Sequence, residues 1–341
     1  MGTQLGAIIV SKEISLEKLS NKKLVVDTYN ILYQFLTTIR QQDGGLLTDS
    51  KGRVTSHLSG LFFRITNLMK NNIKLTFVFD GKPPELKKEE RERRAEIKQD
   101  AMRKYELAVD EGDVDLMKKY ASRTAILTKE MIEESKELIT AFGHPIVHAP
   151  SEGEAQAAYM VKKGEFYALV SQDTDGLLFG SPKLIKNLSI SRKRKKTGTT
   201  AYETINPEII DLAENLNTLG IDNDQLIVVG MLCGTDFNIG GIKGIGPKKA
   251  LDLVKKHKKN FDTLFKEAKW DTFFSYDWKK VYDTIKKMPT TEDYVLKWNN
   301  IDEKKIHEIL VEKCEFSSDR IEKTLEGLSK KQAQRGLNDF F

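Results

Sequence analysis

With 341 residues, 39% of them hydrophobic, the chain can fill one large globular domain or two ordinary ones. Its 55 Lys plus Arg against 50 Asp plus Glu leave a formal net charge of +5, too small to name a polyanionic partner, so the placement of charge has to decide. Cys233 and Cys314 alone exclude a disulfide framework or a cysteine-rich zinc site, and no leader-like or long apolar run points to secretion or a membrane.

In chain order, Lys23-Leu-Val-Val-Asp27 reads as a buried strand ending in an acid, followed by a helix from Asp27 through Leu36 for which Asp27 is equally a plain N-cap. A loop around Gln41-Gln-Asp-Gly-Gly leads to a helix over 58–69 and to a second strand, Leu75-Thr-Phe-Val-Phe-Asp80, again ending in an acid. Residues 82–104 then carry nine Lys/Arg and six Asp/Glu. Such a run is usually a solvated helix laced by i,i+4 pairs, yet its position after Asp80 sets Lys87, Arg91, Arg93 and Arg94 beside the acids. Helices over 113–120 and 129–142 return the chain to a strand at Pro145-Ile-Val-His148, and Ser151-Glu-Gly-Glu154 fits a capping box.

Phe166-Tyr-Ala-Leu-Val-Ser-Gln-Asp173-Thr-Asp175 reads as a strand delivering two aspartates to one side, where they repel unless a cation lies between them. Four strands with acids at their exits predict an α/β fold with a mainly parallel central sheet flanked by helices. Asp27, Asp80, Glu152, Glu154, Asp173 and Asp175 then gather where such sheets bind ligands. An oxygen-only cluster suits magnesium or manganese, and paired ions of that kind hydrolyse phosphodiesters. Ser191-Arg-Lys-Arg-Lys-Lys suggests a basic hairpin tip or loop, Asn206-Pro-Glu opens a helix, and a buried helix over 224–233 leads to Asp236, a seventh acid or a turn cap.

In Gly241-Ile-Lys-Gly244-Ile-Gly246-Pro-Lys-Lys, Pro247 suits a first helical position, and 243–259 holds seven lysines against one aspartate, which favours duplex phosphates over base readout. Most aromatics between 261 and 325 read as packing, whereas Phe340 and Phe341 close a polar tail that cannot bury them alone.

These motifs together, Val-Val-Asp27, Phe-Asp80-Gly-Lys-Pro-Pro, Ala-Pro-Ser-Glu152-Gly-Glu154-Ala-Gln-Ala, Ser-Gln-Asp173-Thr-Asp175 and Gly-Thr-Asp236-Phe, resemble the flap endonucleases, most closely the archaeal ones, over nearly the whole chain. The resemblance implies a PIN-like 5′ nuclease fold in one domain over 1–328, with a helical arch at about 81–128, a helix-two-turn-helix element at about 224–260 and a flexible tail over 329–341. It implies that the seven acids serve two Mg2+ ions, with Mn2+ as a substitute. Lys87 and either Arg91 or Arg94 act from the arch, and Tyr33 stacks on the substrate. Gly2, Arg40, Arg64, Lys243, Gly244, Gly246, Lys248 and Lys249 contact DNA, with K+ at the helix-two-turn-helix element. Gln334, Leu337, Phe340 and Phe341 match a sliding-clamp (PCNA) motif. The implied function is cleavage of 5′-flap DNA, with possible 5′ exonuclease activity, by a monomer in replication (Okazaki fragment maturation) and repair, cytoplasmic in an archaeon and nuclear in a eukaryote. Two rivals remain: a related nuclease for bubbles, gaps or RNA, and a clamp-associated DNA-binding module whose acids hold structural metal.

Overall fold

The computed structural model describes residues 4–41, 44–121, 123–188, 193–195 and 202–338. Its centre is a seven-stranded sheet. The strands are β1 (Lys12–Glu13), β2 (Lys23–Asp27), β3 (Lys74–Phe79), β4 (Ile146–His148), β5 (Ala168–Val170), β6 (Lys183–Lys186) and β9 (Glu208–Asp211), in the order β1-β9-β6-β5-β2-β3-β4. From β6 to β4 all neighbours run parallel, and only β9 runs against the rest, pairing antiparallel with β6 on one side and β1 on the other. A separate antiparallel pair, β7 (Lys193–Lys195) with β8 (Tyr202–Thr204), falls where a basic hairpin was expected.

Strand alternation splits the core into two. Val25, Val78, Leu169 and Leu184 face one side, against helices after residue 153; Leu24, Val26, Phe77, Val170 and Ile185 face the other, against the helices of the first half and Ile306, Leu310 and Ile321. With both faces covered, the open ends of the parallel strands are left for ligands.

The helices that frame those ends are α1 (Thr28–Thr38), α2 (Ser56–Lys70), the 23-residue α3 (Lys88–Asp110), α4 (Val114–Ala121), α5 (Lys129–Ala141), α6 (Gly153–Lys162), the short α7 (Asp175–Leu178), α8 (Leu212–Leu219), α9 (Asn223–Cys233) and α10 (Pro247–His257). α3 and α4 pack on each other in the region expected to form an arch. Irregular chain over 289–302 acts as a strap that runs from Gln156, in the first turn of α6, to the amino-terminal ends of β2 and β3. Thr291 exchanges two hydrogen bonds with Gln156, the Trp298 indole donates to the Leu75 carbonyl at 2.8 Å, and Lys23 and Lys74 lie over the Trp298 ring.

Several expectations are corrected. The segment after Asn206-Pro begins with a strand, β9, because Ile210 takes an inward place opposite β6; the helix starts only at Leu212, capped by Asp211. The predicted capping box at Ser151 does not form. α6 begins at Gly153, so Ser151 lies one residue before the N-cap Glu152 and donates to the Lys82 carbonyl instead. β5 ends at Val170, so Asp173 sits in a bend and Asp175 in the first turn of α7, not on one extended segment. A helix spans Ser318–Asn338, through Gln334 and Leu337 of the expected tail, in a stretch rich in the helix formers Lys, Gln and Ala. Phe340, Phe341 and Gly2 lie outside the described residues. Among the described residues no helix is long and apolar enough to cross a membrane.

Candidate active site

Four strand exits deliver the acids. Asp27 is the last residue of β2 and caps α1, accepting from the Asn30 amide at 3.2 Å, so its N-cap reading and its place among the acids hold together. Asp80 follows β3 and accepts from the Gly153 amide at 2.7 Å. A methyl group on Gly153 would lie 2.6 Å from Asp80 Oδ1, so the tight β3–α6 approach requires glycine there. Glu152 and Glu154 flank Gly153 after β4; Glu154 Oε1 accepts from the Ser171 hydroxyl at 2.6 Å. Asp173 Oδ2 accepts from the Asn30 side-chain amide at 3.0 Å, and Asn30 Oδ1 accepts from the Gln172 backbone amide.

One cavity of about 680 Å³ gathers these groups. Six of the seven acids, Asp80, Glu152, Glu154, Asp173, Asp175 and Asp236, line it, and Asp27 is buried behind them. Tyr33, Lys87, Arg91 and Arg94 share its wall with Lys98 and Arg123. Burial, then the charges of Asp80 and Asp173, push the Asp27 carboxyl well above its ordinary value. Burial, then Asp27, Asp175 and Asp173, do the same to Glu154. Asp80 opens onto the cavity but is ringed by protein, and that desolvation raises its pKa against the pull of the Gly153 amide and Lys87.

Positive charge reaches the acids from Lys87, just before α3, and from Arg94 on it. Lys87 Nζ lies 2.5 Å from Glu152 and 3.3 Å from Asp236, and Arg94 Nη2 donates to Asp236 Oδ1 at 2.6 Å. Burial works against the charged lysine, but Glu152 and Asp236 outweigh it and raise the Lys87 pKa. Burial likewise opposes the Arg94 charge, and Asp236 and Glu90 overcome it. Glu152 is still raised, because burial exceeds the help of Lys87. Between the two candidate arginines, Arg94 makes the direct contact with an acid, while Arg91 lines the wall.

Among the described residues no three His, Cys, Asp or Glu side chains are drawn together closely enough to enclose an ion. The acids converge on one cavity without forming a closed cage, as expected of repelling carboxylates whose counter-charge comes from Lys87 and Arg94. The donor set nevertheless fits hard divalent cations: it is all oxygen, and the raised Asp27 and Glu154 record negative charge that the side-chain cations leave unbalanced.

Other predicted residues lie elsewhere. Arg40 follows α1, and its Nη1 donates to the Gly44 carbonyl at 2.9 Å. Arg64 on α2 borders a separate groove with Asn187 and Asn206. Lys243, Lys248 and Lys249 are exposed around α10, which starts at Pro247 after Gly244 in a left-handed conformation, φ +85°. Sequence reasoning missed Asn30, Ser171 and Glu90. Asn30, three residues after Asp27, falls in the first turn of a helix that starts at the acid, and that spacing was the available signal.

Known proteins give the same arrangement a context. Residues 3–101 match the XPG N-terminal domain and residues 143–236 the XPG I-region. The chain is 49% identical over 333 residues to the Flap endonuclease 1 of Hyperthermus butylicus, covering 97% of this chain and 95% of that one. Against the Flap endonuclease 1 of Pyrococcus abyssi the identity is 49% over 330 residues, covering 97% and 94%. The structure of the flap endonuclease-1 from Methanococcus jannaschii superposes with a TM-score of 0.77 at 39% identity, covering 98% and 100%. The catalytic core of Rad2 in complex with DNA substrate shares the fold, at a TM-score of 0.70 and 24% identity over 96% of this chain and all of that one.

The raised acids set a pH test. Their folded pKa values lie above the unfolded ones, so their contribution to stability is full at low pH and is lost as pH rises through the folded values. In chelator near pH 8, Asp27→Asn and Glu154→Gln should each melt about 2–4 °C above the unsubstituted protein, and the gap should close toward about pH 4. Asn keeps the α1 cap, so a lost cap does not mask the effect. Equal melting temperatures at pH 8 would refute the repulsion.

Proposed function

The chain belongs to the flap endonuclease family and is a divalent-metal-dependent, structure-specific 5′ nuclease, and from that premise we propose that its seven acids hold two Mg2+ ions, or Mn2+ in their place, for cleavage beside a 5′-flap junction. The observation that carries the reading is six acids from separate strand exits and loops on one cavity, faced by two arch cations. When bound, such a pair of ions supplies an activated water and stabilises charge on the phosphate and the leaving oxygen. The chain's own residues do the rest. Asn30, Ser171 and the Gly153 amide fix the orientations of Asp173, Glu154 and Asp80. Lys87 and Arg94, on the arch side, are placed to turn from Glu152 and Asp236 to the oxygens of an entering phosphate. Tyr33 presents its ring on the same wall, with Lys98 Nζ 4.6 Å from the ring centroid, and offers a stacking face for a base.

Asp173→Ala is expected to slow single-turnover cleavage of an end-labelled flap in magnesium by roughly a thousandfold or more. Flap affinity in calcium should stay near that of the unsubstituted protein, since binding rests on phosphate contacts elsewhere. Cleavage at the normal rate would sink the assignment, and loss accompanied by unfolding would favour a structural role for the acid.

The exposed lysines at α10 are assigned to duplex phosphates, and the carbonyls of the Gly244–Gly246 turn to K+. Neutralising Lys243, Lys248 and Lys249 one at a time should reduce the slope of log affinity against log salt by about one unit each, alike for different DNA sequences. Replacing potassium by sodium should weaken binding of the unsubstituted protein. An unchanged slope, or equal affinity in the two salts, would count against the respective assignment.

We assign Gln334, Leu337, Phe340 and Phe341 to a sliding clamp (PCNA), with the protein acting as a monomer in Okazaki fragment maturation and repair. Phe340→Ala/Phe341→Ala should remove stimulation by the clamp and leave cleavage of naked flap DNA intact. Comparable loss on naked DNA would overturn the tether reading; a monomer-sized particle in sedimentation is the matching expectation for oligomeric state.

A further inference from the structure

α3 is a highly charged helix, and in its 23 residues only Glu90, Ala101 and Ala108 are buried. Two of these are small and apolar. The third is a carboxylate, 3% exposed, and burying a charge is costly unless it is paired and hydrogen-bonded. Glu90 is both: its Oε2 accepts from Arg93 Nε at 2.7 Å, and its Oε1 from Arg93 Nη2 at 2.8 Å and from Arg94 Nε at 2.6 Å. The hydrogen bonds of the two arginines outweigh the burial that would raise its pKa, so the net shift is downward.

The geometry divides Arg94 into two ends. Its Nε is tied to Glu90 on the same helix, one turn earlier, and its Nη2 points into the acid-lined cavity and reaches Asp236 at 2.6 Å. An arginine side chain has many rotamers, and fixing one costs conformational entropy unless the fold has already done so. We propose that Glu90 is a positioning residue for the reaction, holding the Arg94 guanidinium so that its outer nitrogens face the place where the scissile phosphate enters. The inference rests on the arch reading of Arg94 given above and adds a residue to it.

Two other roles for Glu90 make opposite or separable predictions. If its charge acted only through the field, neutralising it would leave the cavity mouth more positive and speed cleavage or tighten binding. If it merely stapled the arch, its loss would displace Lys87, at the root of the same arch, together with Arg94. Positioning alone predicts slower chemistry that depends entirely on Arg94.

The test uses the full-length protein, a 5′-flap substrate, single-turnover cleavage in magnesium, and flap affinity by anisotropy in calcium. Glu90→Gln should slow cleavage roughly tenfold or more, because a catalytic group displaced by a fraction of an ångström loses much of its effect, with affinity unchanged within about twofold. In an Arg94→Ala background the same substitution should add less than about a twofold loss, since coupled residues fail additivity when one acts through the other. Limited proteolysis of the arch should be the same in all variants. Faster or unchanged cleavage by Glu90→Gln overturns the proposal, as does an equal loss in the Arg94→Ala background or a newly cleavable arch. Full activity of Arg94→Ala alone would instead remove the arch reading of Arg94, and the proposal with it.

Discussion

Repulsion among carboxylates at the carboxyl ends of a parallel sheet is the constraint on which the rest of this structure depends. Asp27 and Glu154 are buried close to other acids, and both are driven toward their protonated forms, first by that burial and then by the neighbouring charges. A fold optimised only for stability would not place them so; the cost is carried by the two apolar cores on either face of the sheet. Neutral groups orient the acids without cancelling their charge: an amide from Asn30, a hydroxyl from Ser171 and a backbone N–H from Gly153. The negative potential is thereby aimed into one cavity and left available.

How far this was legible in the sequence depends on the range of the interaction. Val-Val-Asp27 and Phe-Val-Phe-Asp80 announced their strands because an unbroken apolar run buried on both faces has few other readings, and the acids at their ends followed at once. The shorter strand Ala168–Val170 was found, but its end was not: three residues of pairing leave Asp173 and Asp175 to a bend and a helical turn, which side-chain alternation cannot foretell. Glu208–Asp211 was mistaken for helix, since two adjacent isoleucines fit either period and only the partner strand β6 decides between them. Asn30 and Ser171 were missed for a related reason, as the bonds by which they orient Asp173 and Glu154 join residues more than a dozen positions apart. Position after Asp80 supplied Lys87, Arg91, Arg93 and Arg94, and the resemblance to the flap endonucleases narrowed them to Lys87 and either Arg91 or Arg94; the structure then separated the two arginines by contact.

The strap over 289–302 illustrates a different kind of illegibility. It has no regular structure, and its aromatics read as generic packing, yet it reaches the amino-terminal ends of β2 and β3, away from the acids. The Trp298 indole serves the Leu75 carbonyl while two lysines at the starts of β2 and β3 lie against its ring. Tying the amino-terminal ends of the strands in this way leaves the carboxyl ends unencumbered, so the active end need not also provide closure.

α3 is joined to the body on different terms. An ordinary surface helix docks through an apolar stripe, but α3 buries almost none, and Ile97, Met102, Leu107 and Val109 on it remain exposed. Its contacts with the cavity are charged: Lys87 with Glu152 and Asp236, Arg94 with Asp236, and Lys98 against Tyr33. The Lys87 pairs are mostly buried and the Arg94 pair partly so, and in such pairs the desolvation of both charges offsets much of their attraction, so they add less net stability than an apolar dock of the same size. An attachment made of charge can be exchanged for other charge of the same sign without unfolding anything. The acids that anchor α3 are also the groups best suited to hold cations, and the Lys87 and Arg94 cations that answer them are those best suited to phosphate. A single set of charged groups therefore serves both the arrangement seen here and the one that chemistry on a phosphodiester requires.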